Sequence, residues 1–185
     1  MARFDGSGIS IHGAKDNVLD NNVFVDGGVN QIWYAPIDDF SVNNRFTRNI
    51  MTFSAPDAVL TNQMSRSPQQ VVSEQDKNLF WHSSGANFFK ATRPLTALGN
   101  FDQWRAGGFD QNSVIADPLF VNAAKDDYRL QPNSPALKLG FMPLPWDEIG
   151  LAGFERSFKV RSTPAPSKGT TKPNKSDKEP TAQKP

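Results

Sequence analysis

The hexapeptides Asn21-Asn22-Val23-Phe24-Val25-Asp26, Arg48-Asn49-Ile50-Met51-Thr52-Phe53 and Lys77-Asn78-Leu79-Phe80-Trp81-His82 decide how this chain folds. Aligned on Asn22, Asn49 and Asn78, they recur at spacings of 27 and 29 residues. Five residues before each Asn stands another turn-forming side chain, Asn17, Asn44 or Ser73. Each unit reads as a polar turn, an Asn, then a short apolar run rich in β-branched and aromatic residues, which is strand chemistry. Turn formers such as Asp26-Gly27-Gly28, Ser54-Ala55-Pro56-Asp57 and Ser83-Ser84-Gly85 separate the units.

Short strands recurring at nearly constant distance, with no helix-length segment between them, predict an all-β solenoid of about three coils over residues 6–92. Asn fits its corners because it tolerates the left-handed backbone region and bonds to its own neighbourhood. Stacked from coil to coil, such side chains can bond to one another as a ladder. The competing architecture is an antiparallel β-sandwich, whose strands return every 8–12 residues. Recurrence of whole units favours the solenoid.

One stretch breaks the pattern. Leu95, Leu98, Phe101 and Trp104 recur at three-residue steps between Pro94 and Gly107, which predicts a short helical insertion over 94–107. Asn100 and Gln103 have capping-box spacing, and Gly107-Gly108 forms a stop. Phe101 and Trp104 are expected to be packing anchors. Beyond it, residues 113–150 alternate strand and turn, with prolines at 118, 132, 135, 143 and 145 that discourage further pairing. An open solenoid end is an exposed edge, so this region is expected to act as a cap.

The blocks Asp117-Pro118-Leu119-Phe120-Val121, Asp127-Tyr128-Arg129-Leu130 and Ser134-Pro135-Ala136-Leu137 resemble the closing segment of right-handed parallel β-helix proteins of the pectate-lyase-like superfamily. Gly8-Ile9-Ser10-Ile11-His12-Gly13, with Asp16-Asn17 and the hexapeptide from Asn21, resembles an internal coil of the same proteins. The resemblance covers roughly residues 6–150 and implies a right-handed parallel β-helix. It also implies a parent family of glycoside hydrolases and polysaccharide lyases, a polysaccharide or oligosaccharide partner, and a secreted or periplasmic location. End coils are shared by members with different chemistries, so the resemblance speaks to fold more than to reaction. Related proteins carry many coils before this point and place their catalytic groups on the middle ones. The expectation is therefore distal coils and a cap, inactive alone, from a longer product or an empty remnant. The alternative is a non-catalytic solenoid module that binds polysaccharide or serves a structural role.

Candidate site residues are few. Alternation in Ile9-Ser10-Ile11-His12 turns His12 outward if the isoleucines face the core. With Asp16 and Asp26 nearby in sequence, His12 could serve as general acid or base, or hold a metal; the competing reading is a surface histidine. Trp33, Tyr34, Asp38 and Asp39 place aromatic faces beside carboxylates, a combination suited to sugar contacts and equally to a loop with one apolar anchor. Arg45, Arg48 and Lys77 read as solvated strand-edge charges. His82, without an evident partner, reads as structural, as does Asp117 before Pro118. Asp126 and Asp127 look like turn formers. No acidic cluster suggests a metal, and no cofactor is evident.

Composition narrows the remaining classes. Residues 156–185 hold eight Lys/Arg against two Asp/Glu, a net of +6, leaving twelve basic and seventeen acidic residues in 1–155, a net of −5. A mildly acidic body argues against a nucleic-acid partner, which needs a concentrated basic face. The absence of cysteine excludes a disulfide framework and thiolate metal sites. No apolar run approaches the roughly 18 residues needed to span a bilayer, and Met1–Gly6 does not read as a signal peptide. The β domain is expected to occupy 1–157. Residues 158–185, rich in Pro, Lys, Ser and Thr, are expected to stay disordered because they cannot bury enough surface.

Overall fold

The computed structural model describes residues 7–27, 30–35, 41–62, 68–85, 88, 101–146 and 148–149. The chain divides into two units, Met1–Glu148 and Ile149–Pro185. In the second, only Ile149 falls among the described residues, so the expectation for 158–185 lies outside them, as do 94–100 of the expected helical insertion.

Strands come in threes. The first set is β1 (Ser7–His12), β2 (Val18–Asp20) and β3 (Val23–Val25). The second is β4 (Asn30–Ala35), β5 (Asn44–Thr47) and β6 (Ile50–Phe53). The third is β7 (Val59–Asn62), β8 (Val72–Asp76) and β9 (Leu79–His82), with the short helix α1 (Pro68–Val71) leading into β8. Every strand pairs in parallel with its counterpart in the next set, giving sheets ordered β1-β4-β7 and β2-β5-β8. The third sheet, β3-β6-β9, gains a fourth strand, β10 (Val114–Ile115). The fold is all-β, with stacked parallel sheets compatible with a β-helix, and among the described residues no antiparallel sandwich forms.

Corners turn through left-handed residues: Asp16, Asn21 and Asp26 in the first set, Asn43 and Arg48 in the second, Lys77 in the third, all with φ between 50° and 60°. The corner residue is thus one position before the aligned Asn, and Arg48 and Lys77 adopt it although neither is favoured there. Asn22, Asn49 and Asn78 do a different job. The backbone N–H of Asn22 and its Nδ2 both donate to Asn49 Oδ1, at 3.0 and 3.1 Å. Asn49 repeats this towards Asn78 Oδ1 at 2.9 and 3.2 Å. Nδ2 of Asn49 also reaches Leu19 O at 2.9 Å, so the buried amides satisfy backbone and each other together. A second ladder joins Asn17 Nδ2 to Asn44 Oδ1 at 2.7 Å. It does not continue to Ser73: Asn44 pairs with Val72 and Arg45 with Glu74, so Ser73 sits in an irregularity that absorbs part of the longer second spacing.

The interior is built by register. Leu19 lies beside Phe46, and Phe24 beside Met51, which in turn lies beside Phe80. Phe46, Met51 and Phe80 are fully buried, each contributing on the order of 2–3 kcal/mol by leaving water. His82 is buried too, and it has partners the sequence did not reveal. Its Nε2 is 2.9 Å from Ala55 O, and its ring stacks beside Phe53 and Phe88.

Helix α2 (Phe101–Ala106) anchors itself through buried Trp104, whose indole stacks on Phe109 at 4.7 Å, while Phe101 packs at the core margin. Gly107 and Gly108 end it, their N–H groups bonding back to Gln103, Trp104 and Arg105. The last sheet, an antiparallel pair of β11 (Phe120–Asn122) and β12 (Asp127–Leu130), is followed by α3 (Pro135–Lys138), capped by Ser134. Asp126 is a left-handed turn residue as expected, whereas Asp127 belongs to β12 and pairs with Arg129.

The segment expected to cap the stack reaches across its flank. Val23, Ile50, Leu79 and Val114 form one row of the third sheet, and Phe120, Leu130, Ala136 and Phe141 cover it in a second core. The segment returns as far as Asn21, which accepts from Met142 N at 2.7 Å and donates to Met142 O at 2.9 Å. Arg48 is not a free edge charge: it pairs with Asp20, while Arg45 pairs with Glu74. Burial raises the Asp20 carboxyl, but hydrogen bonds from Arg48 and Thr47 outweigh this and hold it below the usual value. Among the described residues no helix is long and apolar enough to cross a membrane.

Candidate functional site

Val25, Thr52 and Trp81 occupy one register position across β3, β6 and β9, one residue past the core-facing Phe24–Met51–Phe80 row. Alternation along a strand therefore points them away from the main core. Just beyond them the strands end. Asp26 turns left-handed with its N–H on Thr52 O at 3.1 Å, and Ser83 N–H reaches Phe53 O at 3.0 Å. Ala116 N–H does the same to Phe80 O, delivering Asp117-Pro118 to this line of strand ends. Asp117 accepts from Leu119 N at 2.8 Å, as its position before proline suggested.

These ends border a groove of about 390 Å³, whose lining includes Asp26, Thr52, Ser54, Trp81 and Asp117 together with Phe120 and Tyr128. Phe120 and Tyr128 meet edge to face at 5.1 Å, and the Tyr128 hydroxyl donates to Asp126 at 2.8 Å, which fixes that wall. The groove thus offers a part-exposed indole, two carboxylates and hydroxyl groups at or just beyond strand ends. That set can stack on an apolar ring face and accept hydrogen bonds from neutral hydroxyls.

The expected residues are dispersed. His12 is exposed at the end of β1, opposite Ala35 of β4. Asp16 follows at the β1–β2 corner, where its Oδ1 accepts from Asn43 Nδ2 at 2.7 Å. Asp26 stands at another corner, after β3, and it alone of the three lines the groove. Trp33 and Tyr34 lie in β4, paired by backbone to Ser10 and Ile11, while their side chains lie outside the described structure. Asp38 and Asp39 fall outside the described residues. Among the described residues, no three His, Asp or Glu side chains gather to hold a metal.

Sequence reading missed Trp81 and Asp117 as neighbours of Asp26. The signal was available in part, since aligning the Asn residues brings Val25, Thr52 and Trp81 into one column. It also missed the buried carboxylate at the far end of the Asn ladder. Asp110 Oδ1 accepts from Asn78 Nδ2 at 3.0 Å and Ser113 Oγ at 2.5 Å, and Oδ2 from Gln75 Nε2 at 2.9 Å and Trp104 Nε1 at 2.7 Å. Burial pushes its carboxyl up to about 6, against the pull of these four donors. Lacking exposure, Asp110 serves architecture.

No family model matches the chain, and no curated protein or solved structure matches it.

Proposed function

We propose that the chain forms the distal three coils and cap of a right-handed parallel β-helix from a polysaccharide-acting protein of the pectate-lyase-like type, and that it contributes binding rather than turnover. Parallel pairing of each strand from β1 to β6 with the third one after it supports the solenoid, and parallel crossovers are right-handed in nearly all proteins. The single observation that carries the function is the groove joining Trp81 to Asp26 and Asp117. In this reading Trp81 stacks on a pyranose face, while the two carboxylates and the hydroxyls of Thr52 and Ser54 take sugar hydroxyls. Carboxylates on the rim favour neutral saccharide over polyuronate, because like charges repel.

Titration of intrinsic tryptophan fluorescence with neutral and acidic oligosaccharides tests this. The expected result is a saturable change with a neutral sugar, weakened about tenfold by Asp26→Asn, as loss of one charged hydrogen bond implies. No response to any sugar, or an undiminished response in the variant, overturns the binding site. Release of reducing ends or unsaturated products by the chain alone, abolished by His12→Ala, would instead assign catalysis to the His12 region.

A further inference from the structure

The two ends of the stack differ chemically. At the far end the last strands are covered. Asp110 N–H bonds Gln75 O at 2.6 Å, Asn112 N–H bonds the Asp76 carboxylate at 2.7 Å, Leu60 N–H bonds Phe88 O at 2.7 Å, and β10 pairs with β9. The opposite end is bounded by β1, β2 and β3, each of which pairs on one side alone among the described residues.

Three observations converge on that open end. The interior is uncovered there: Ile9, Leu19 and Phe24 are part-exposed, whereas their register partners Ile32, Phe46 and Met51 are at most 1 % exposed. Backbone groups face outward as well. Arg45 N–H bonds Asn17 O, and Ile50 N–H bonds Asn22 O, so the alternation of a parallel ladder turns the N–H and C=O of Val18 and Val23 away from β5 and β6. Finally, the ladders have a direction. Each amide donates forward from its N–H and Nδ2 and receives through Oδ1, so Asn17 and Asn22 end in acceptor oxygens that receive no hydrogen bond among the described residues.

We propose that the β1–β2–β3 edge is a docking surface for an extended polypeptide segment carrying two asparagines five residues apart, added in parallel register. Each incoming Asn directs its backbone N–H and Nδ2 onto Oδ1 of Asn17 or Asn22, repeating the bonds already made to Asn44 and Asn49. Apolar residues between and after the two asparagines cover Leu19 and Phe24. Hydrogen-bond polarity selects this occupant over a second copy of the chain. Two open ends face to face would oppose acceptor to acceptor, and the donors at the other end are already taken by Asp110 and Ser113. The inference stands on the ladder and edge geometry and is independent of any saccharide reading.

The test uses the full chain and a fluorescent peptide of residues 41–53, which carries Asn44 and Asn49 at the required spacing. Anisotropy is expected to rise and saturate at one peptide per chain. Replacing both peptide asparagines with alanine, or N-methylating the Asn49 amide, is expected to weaken binding at least about tenfold. The protein is unaltered in these arms, so misfolding cannot imitate the effect. Absence of saturation by about 1 mM peptide, the edge of measurable affinity, overturns the proposal. Equal binding of the N-methylated peptide also overturns it, because the ladder donors would then be irrelevant. A chain that sediments as a dimer and takes up no peptide overturns it in favour of a second copy.

Discussion

Asn78 Nδ2 donates to Asp110 Oδ1 at 3.0 Å, and with that bond the line of amides running from Asn22 through Asn49 comes to an end. A carboxylate suits the place because it accepts and donates nothing, whereas Asn49 and Asn78 before it do both. Ser113 occupies the next stacked position, accepting from Asn78 N–H on its Oγ at 2.7 Å and donating its own hydroxyl hydrogen bond to Asp110 Oδ1. Trp104 of α2 and Gln75 of β8 fill the remaining oxygen, so one side chain joins the stack to the helix that covers it.

Asp110→Asn should destabilise the fold by about 2–3 kcal/mol, because one amide N–H₂ must face donors that had faced oxygen. Urea unfolding at neutral pH measures this. An unchanged midpoint would mean that the helix and the stack are joined by apolar packing alone.

Acid should strengthen the wild-type fold over part of its range. The folded Asp110 carboxyl keeps its proton up to about pH 6, while the unfolded one releases it near 3.8, so between these values the folded chain binds more protons. Stability contributed by this group therefore declines as pH rises through that window, by on the order of 3 kcal/mol. Thermal melts at pH 5 and pH 7.5, compared with Asp110→Asn, isolate it: the variant should lose the slope.

Removing the middle amide should hurt more than removing the first. Asn49→Ala deletes the acceptor for two Asn22 donors and two bonds made by its own Nδ2, all at a fully buried site. A cost of about 3 kcal/mol is expected, against about 1 kcal/mol for Asn22→Ala, whose Oδ1 accepts no bond among the described residues. Chemical denaturation of both variants ranks them, and a reversed order would contradict the ladder's direction.

Gly8 and Gly27 should resist substitution for a reason of space. A Cβ at Gly8 would lie 2.3 Å from Gln31 Oε1, and one at Gly27 2.4 Å from Asn30 O. Alanine at either should cost about 1–3 kcal/mol by overpacking around the buried Gln31. At Gly85 nothing lies within 4 Å and only its φ of +71° resists a side chain, so Gly85→Ala should cost about 1 kcal/mol. Melting temperatures of the three variants provide the check.

The parallel stack was legible because Asn17, Asn22, Asn44, Asn49 and Asn78 repeat with the strands they introduce. The next position was not, since Ser113 stands 35 residues beyond Asn78 with α2 in between. Asp110 was hidden for a related reason: its partners come from residues 75, 78, 104 and 113, which no local pattern groups. Of the groove, Asp26 was marked by its turn. Trp81 read as strand and Asp117 as a corner, and each is what it was read as. What joined them was the path of the chain between Ile115 and Phe120, set by Pro118 and the Asp117 turn, which periodicity does not predict.

The pairing of Asn21 with Met142 spans 121 residues. Stacked repeats ordinarily touch only their neighbours, so they can fray one at a time from either end. Here the final segment is fastened to the first set of strands and lies over the second and third on the way. Loosening any one set therefore strips part of the second core from all of them, which makes the unfolding of this stack collective. The same fastening delays completion of the fold until residue 142 has been made. A chain elongating from its N-terminus must hold the row of Val23, Ile50 and Leu79 bare until then.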